Sequence, residues 1–269
     1  SNKKHCEPHM QKTDFIILMF CAIAAILHGM SGFGFPMLST AAVAMLYPLS
    51  TAVALVLIPC LLLNLFMLRG DTQQSLLSSL YGYCKKYWGL ILSALIGSYL
   101  GVSLLLILNE GYLKFAMGLL ILLYVADQFR QHPLQISASL KNMLIFGFLA
   151  GVIGGATNAM APFLMMYLLS TQHSKTDIVV ISNLNFIISK LIQLAVLFPV
   201  IQQFNHIQLQ VLALICLISV AMVYVGSQIR KNISQAVFKQ IVFTLLGLMA
   251  IYAIAQGLSI ILKQPALMV

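Results

Sequence analysis

From Phe15 to Leu68 the chain runs for more than fifty residues without an Asp, Glu, Lys or Arg. A soluble globular domain, about a quarter of whose residues are charged, does not contain such a run. Only 8% of the 269 residues are charged here and 61% are hydrophobic, which places the chain in a membrane. Apolar stretches recur almost to the C-terminus, so the expectation is an all-α polytopic membrane protein with no room for a separate aqueous domain.

Apolar runs and breakers divide the chain into ten segments, at 15–30, 35–46, 51–68, 88–107, 112–128, 143–156, 161–170, 177–198, 208–228 and 238–262. Those at 35–46 and 161–170 are short for a span of about twenty residues. Each follows a glycine-rich break, "HGMSGFGFP" from His28 and "GGATNAMAP" from Gly154.

Shifted by 126 positions, the two halves align without a gap. Gly29 meets Gly155, Ser31 meets Thr157, Pro36 meets Pro162 and Ser50 meets Thr176. Glycine, hydroxyl and proline held at one offset favour an internal duplication. Ser50 and Thr176 each precede an apolar run and are suited to cap it. Because five segments is an odd number, the second copy is expected upside down relative to the first. The resulting organisation is a polar tail (1–13), a first membrane repeat (14–128), a cytoplasmic linker (129–142), a second repeat (143–262) and a C-terminal tail (263–269).

Charge counting agrees with the inversion. With the N-terminus outside, the loops at 69–87, 129–142, 171–176 and 229–240 hold nine Lys and Arg, from Arg69 to Lys239. The other side holds five, Lys3, Lys4, Lys12, Lys114 and Lys263, as the positive-inside rule requires. Both termini are therefore expected outside. The same scatter argues against nucleic acid as the partner of a chain with net charge +9.

A glycine-rich turn at membrane depth leaves backbone N–H groups that only protein or water can satisfy. Glycines allow positive φ, Ser31 can cap, and Pro36 suits the first turn of the next helix. Thr157, Asn158 and Pro162 occupy the corresponding places in the second break. Two half-helix N-termini facing one another would bind an anion, although the same residues also serve kinks and close helix packing.

A second line of evidence is the segment from Asp177 to Phe198. At about 100° per residue, Ser182, Asn185, Ser189 and Gln193 fall within roughly an 80° arc, with Asn183 and Lys190 beside it. A mid-membrane lysine costs about 2.5–3.5 kcal/mol to insert, so Lys190 is expected to face protein or water rather than lipid. Snorkelling toward the outer surface is the alternative. Lys190 aligns with Asn64, the deepest polar residue of its own helix.

All six carboxylates, Glu7, Asp14, Asp71, Glu110, Asp127 and Asp177, lie in tails, loops or segment ends. That disfavours a cation pathway and leaves donors suited to an anion. The expected binding residues are Ser31, Gly32, Gly34, Asn64, Gly155, Thr157, Asn158, Ser182, Asn185, Ser189 and Lys190, with His28 as the candidate proton carrier or else a capping histidine. No cofactor and no metal site are expected. Cys21, Cys60 and Cys216 fall in apolar segments without C-x-x-C spacing, and "HCEPH" from His5 is taken as a tail rather than a metal ligand set.

These residues resemble a family. "HGMSGFGFPMLSTAAVAMLYPLSTAVALVLIPCLLLNL" is similar to the first block of the TauE/SafE sulfite exporters, also called the toluene sulfonate uptake permeases, and "GFLAGVIGGATNAMAPFLMMYLLS" to the second. The second break has Ala156, Thr157, Asn158 and Ala159 where glycines are common in the family. The resemblance implies a multi-pass bacterial inner-membrane permease for sulfite, sulfonates, sulfoacetate or related anions. Lipid and the transported anion are the implied partners, with homo-oligomerisation left open.

Two rivals stand beside it. "GMSG" around Ser31 matches the G-x-S-G of rhomboid proteases, but His28 is the one histidine in an apolar segment and sits three residues away, so no second helix offers a general base. A structural or assembly protein of the membrane is the other.

Overall fold

The computed structural model describes residues 12–69, 76–130, 136–171, 175–229, 232 and 234–263; the "HCEPH" cluster lies outside them. The described residues form eleven helices: α1 (Lys12–Ser31), α2 (Phe35–Val43), α3 (Leu49–Arg69), α4 (Leu76–Lys86), α5 (Trp88–Ile107), α6 (Glu110–Gln128), α7 (Leu140–Thr157), α8 (Ala161–Ser170), α9 (Lys175–Gln202), α10 (His206–Ile229) and α11 (Gln235–Lys263). Ten correspond to the expected segments. The eleventh, α4, lies in a stretch expected to be only a connecting loop; "LLSSLYGYCKK" mixes apolar and polar residues too evenly to stand out as a span.

Six helices are long and apolar enough to cross a membrane: α1, α3, α5, α7, α9 and α10. At 1.5 Å per residue α2 and α8 extend only about 14–15 Å, half of a hydrocarbon core. Each folds back on the long helix before it. Tyr47, just after α2, donates from Oη to Asp14 Oδ1 in the first turn of α1 at 3.0 Å. Phe146 near the start of α7 stacks on Tyr167 of α8, ring centroids 6.2 Å apart. Both short helices therefore return toward the end at which their long partner begins, forming two hairpins with their bends inside the protein.

Small residues bring the helices together. A Cβ on Gly97 or Gly101 of α5 would lie 2.3 Å from the Phe148 carbonyl oxygen and 2.0 Å from that of Val152, and one on Gly151 of α7 would lie 2.3 Å from the Ala94 oxygen. Such backbone approach is what glycine permits between membrane helices. Contact positions rise together along α5 and α7, so these two run parallel. The same close approach joins α1 to α10, where Gly29 meets the Val223 oxygen and Gly226 that of Ile26. Along α6 and α11 the register runs in opposite senses, Gly118 against Ala250 and Gly257 against Gly111.

The pairing is regular. α5 packs on α7 and α10 on α1; α9 lies against both α3 and α5, and α3 against α10. Outward faces carry Ile107, Leu217, Leu248, Ile251 and Leu262, all more than half exposed, as lipid-facing surfaces require. The interior of this assembly is where the polar residues of α9 go: Ser182, Asn183, Asn185, Ser189, Lys190 and Gln193 are all buried.

Gly151→Val, which forces a branched side chain onto the Ala94 carbonyl, is expected to destabilise the detergent-solubilised protein by about 3 kcal/mol or more, read as a fall in Tm or loss of the monodisperse peak in size exclusion. An unchanged Tm would contradict the α5–α7 contact. For Tyr47, burial and the neighbouring Asp14 push the phenol up to about 12. Its folded-state value lies above the unfolded one near 10, so this contact contributes fully below that pH and is lost as pH rises through about 12. Tyr47→Phe should cost about 0.5–1.5 kcal/mol at neutral and mildly alkaline pH, measurable by thermal unfolding across that range.

Candidate functional site

The two hairpin bends share two hydrogen bonds, and in the first Ser31 Oγ also lies 2.6 Å from the Phe33 carbonyl oxygen, a second acceptor for its single proton. At the end of α1, Ser31 Oγ donates to the Leu27 carbonyl at 2.9 Å and accepts from the Phe33 N–H at 3.2 Å. At the end of α7, Thr157 Oγ1 donates to the Ile153 carbonyl at 2.7 Å and accepts from the Ala159 N–H at 3.3 Å. In each case the hydroxyl satisfies the carbonyl four residues back and the amide two residues on, which lets the chain leave the helix without orphaned groups.

Left-handed backbone completes both turns. Gly32 and Gly34 have φ of 82° and 112°, while Asn158 has φ 62° and ψ 9°, the one non-glycine at positive φ among the described residues. Asparagine tolerates that region better than other side-chain-bearing residues. Proline then stands in the first turn of α2 and of α8.

His28 belongs to the first bend. Fully buried, it accepts the Phe35 N–H on Nδ1 at 3.4 Å and meets the Phe35 ring edge-on. An Nδ1 that accepts a hydrogen bond leaves the proton on Nε2, so His28 holds the first amide of α2 in the capping role. Ser31 is bonded to its own turn and not to His28.

Lys190 lies where the hairpins meet α9. Its Nζ donates to Asn158 Oδ1 and, at 2.7 Å, to Gln193 Oε1. Gln193 Nε2 donates in turn to the carbonyls of Gly155 at 2.7 Å and Gly154 at 3.1 Å, and to Asn158 Oδ1 at 3.0 Å. Asn158 Nδ2 reaches across to Thr40 Oγ1 of α2 at 2.6 Å. Along the same side of α9, Asn183 Nδ2 donates to the Gly32 carbonyl at 3.0 Å, and Ser189 Oγ accepts from Ser98 Oγ of α5 at 2.9 Å. One side of α9 thus ties together the two bends, α2 and α5.

A small cavity opens beside this network. Gly34, Pro36 and Met37 line it from the first hairpin, Asn158, Met160 and Ala161 from the second, and Phe186, Ser189 and Lys190 from α9. Its volume of about 10 Å³, measured as the space open to the centre of a water molecule, holds roughly one water. Helix geometry leaves the N–H groups of Met37 and Ala161 without acceptors in their own helices, so the cavity wall carries donors as well as an ammonium.

Of the residues expected from the sequence, Gly34, Asn158, Ser189 and Lys190 line the cavity, and Gly32 and Gly155 join its network through their carbonyls. Ser31 and Thr157 shape the bends. Asn185 Nδ2 bonds within its own helix to the Ile181 carbonyl. Asn64 and Ser182 are fully buried, and neither the Asn64 amide nor the Ser182 hydroxyl has a hydrogen-bond partner among the described residues. Thr40, Ser98 and Gln193 were not singled out as site residues. Gln193 is marked by its place in the polar stripe, whereas Thr40 and Ser98 carry no signal beyond being hydroxyls in apolar helices.

Apolar helices long enough to cross a membrane, with a buried polar seam among them, fit a multi-pass membrane protein. The sequence profile of the family described as sulfite exporter TauE/SafE matches residues 17–253. The chain belongs to that family. No curated protein and no solved structure matches it.

Gln193→Leu strips Lys190 of one acceptor and two α7 carbonyls of their donor. It is expected to cost about 2–4 kcal/mol, read as lowered Tm, and a loss below 0.5 kcal/mol would show the network to be dispensable.

Proposed function

We propose that this protein is a secondary transporter for a small sulfur-containing anion, of the kind represented by sulfite, sulfonates and sulfoacetate, held beside Lys190 between the two hairpin bends. The observation that carries this is a buried lysine whose hydrogen-bond partners are amide oxygens rather than carboxylates, in a cavity lined by both bends. An uncompensated cation inside a membrane is costly and marks a substrate path, and membership of the sulfite exporter family supplies the chemical class.

Transport is by alternating access of two inverted repeats, α1 to α6 and α7 to α11, around this site. Three features support that assignment: the offset of 126 residues that relates Ser31 to Thr157 also relates their hydrogen-bond partners Leu27 to Ile153 and Phe33 to Ala159. The packing of α5 on α7 matches that of α10 on α1. Half-helices meeting at mid-depth are a known arrangement for a transporter's binding site. The excess of Lys and Arg in four loops supports an orientation with both ends on the periplasmic side of a bacterial inner membrane.

Sulfite flux into proteoliposomes tests the assignment. Lys190→Ala is expected to lower it by roughly tenfold to hundredfold, and Ser31→Ala with Thr157→Ala to lower it through loss of both turn closures. Wild-type rates in these variants would remove the site from this position and leave the family membership untouched.

A further inference from the structure

The surroundings of Lys190 set the charge of the anion. Helices α3, α5, α7 and α8 pack against α9, and their sequences contain no Asp or Glu. The same holds for α2, which contributes Pro36 and Met37 to the cavity. Cations on these elements stand only at their ends, Arg69 as the last residue of α3 and Lys141 as the second of α7. On α9 the acidic residue is Asp177, thirteen positions before Lys190 and so about 20 Å away along the axis.

The other titratable side chains on these elements and at the first bend are a thiol, phenols and an imidazole. Cys60 of α3 lies within electrostatic reach of the ammonium, Tyr167 of α8 is turned against Phe146, and Tyr99 of α5 is exposed on the outer face. Across the bend, the Nδ1 of His28 is taken by the Phe35 N–H. The oxygens of Asn158 and Gln193 therefore stand where a counter-ion would. They satisfy ammonium N–H groups, yet a neutral acceptor does not cancel the charge.

We infer that the cavity selects a univalent oxyanion: one negative charge balances Lys190 in the closed, loaded site, while a divalent anion would leave a negative charge buried among helices that offer no second cation. This rests on the transport function proposed above and specifies its substrate class as bisulfite or a monosulfonate, against sulfite dianion, sulfate and doubly ionised sulfoacetate. An anion oxygen replaces an amide oxygen on the ammonium. Its remaining oxygens meet the Ser189 hydroxyl and the free N–H groups of Met37 and Ala161, all on the cavity wall.

Binding to the purified full-length protein, measured calorimetrically with methanesulfonate, sulfite and sulfate at mildly acidic and mildly alkaline pH, tests it. Methanesulfonate stays univalent throughout and controls for any titration of Lys190 itself. Its affinity should be the same at both pH values, that of sulfite should fall with rising pH in step with the bisulfite fraction, and sulfate should bind at least roughly tenfold more weakly than methanesulfonate. Gln193→Glu places a carboxylate beside Lys190 and removes the amide that donates to the Gly154 and Gly155 carbonyls, so it should weaken every anion roughly tenfold or more and lower Tm. Should that variant not fold, the wild-type pH series decides alone. Sulfate binding as tightly as methanesulfonate and lost in Lys190→Ala, or sulfite binding more tightly at alkaline pH, would overturn the univalent assignment and leave the transport function standing. Absence of binding by all three anions to folded protein would overturn the transport function as well.

Discussion

A backbone amide cut off from water has only protein to bond to, and this structure depends on how that requirement is met at two points where helices stop inside the protein. Ser31 and Thr157 each close their own bend with one accepted and one donated bond. His28 takes the first amide of α2 and Gln193 the last carbonyls before the α7 bend. Once those groups are satisfied, the chain can reverse at depth and bring the start of each short helix to the interior. Residues of both bends then line the cavity beside Lys190.

Electrostatics and packing then act together. Lys190 is tolerated where it is because Asn158 and Gln193 converge on it. They converge because Asn158 adopts a left-handed conformation at the second bend while its other amide atom is anchored on Thr40 of the first hairpin. Glycine contacts along α5 and α7, and along α1 and α10, hold the long arms close enough for the bends to reach α9. Replacing any one of these by a bulkier residue would push a bend away from the lysine and leave a bare charge.

Much of this was legible before any coordinates. Hydropathy located ten of the eleven helices, and the breaks after His28 and Gly154 fall where α1 and α7 end. Helical periodicity put six polar residues of α9 on one side, and all six are buried. Helix α4 escaped because its mixed sequence resembles a connecting loop. Asn64 shows the limit of alignment: it corresponds to Lys190, but its amide has no partner among the described residues, since a relation between positions does not carry over the surroundings that give a side chain its role.

The sequence by itself determined that this chain is a helical membrane protein with a lysine on a polar helix face, because hydropathy and periodicity are local properties. Which groups answer that lysine was decided only by the tertiary structure. Asn158 lies 32 residues away and reaches Thr40 across 118 more, and no local rule relates residues so far apart. Packing of the two hairpins against α9 turned scattered amides and hydroxyls into one network and left the ammonium, among the described residues, bonded to amide oxygens rather than a carboxylate, the feature on which the proposed anion assignment stands.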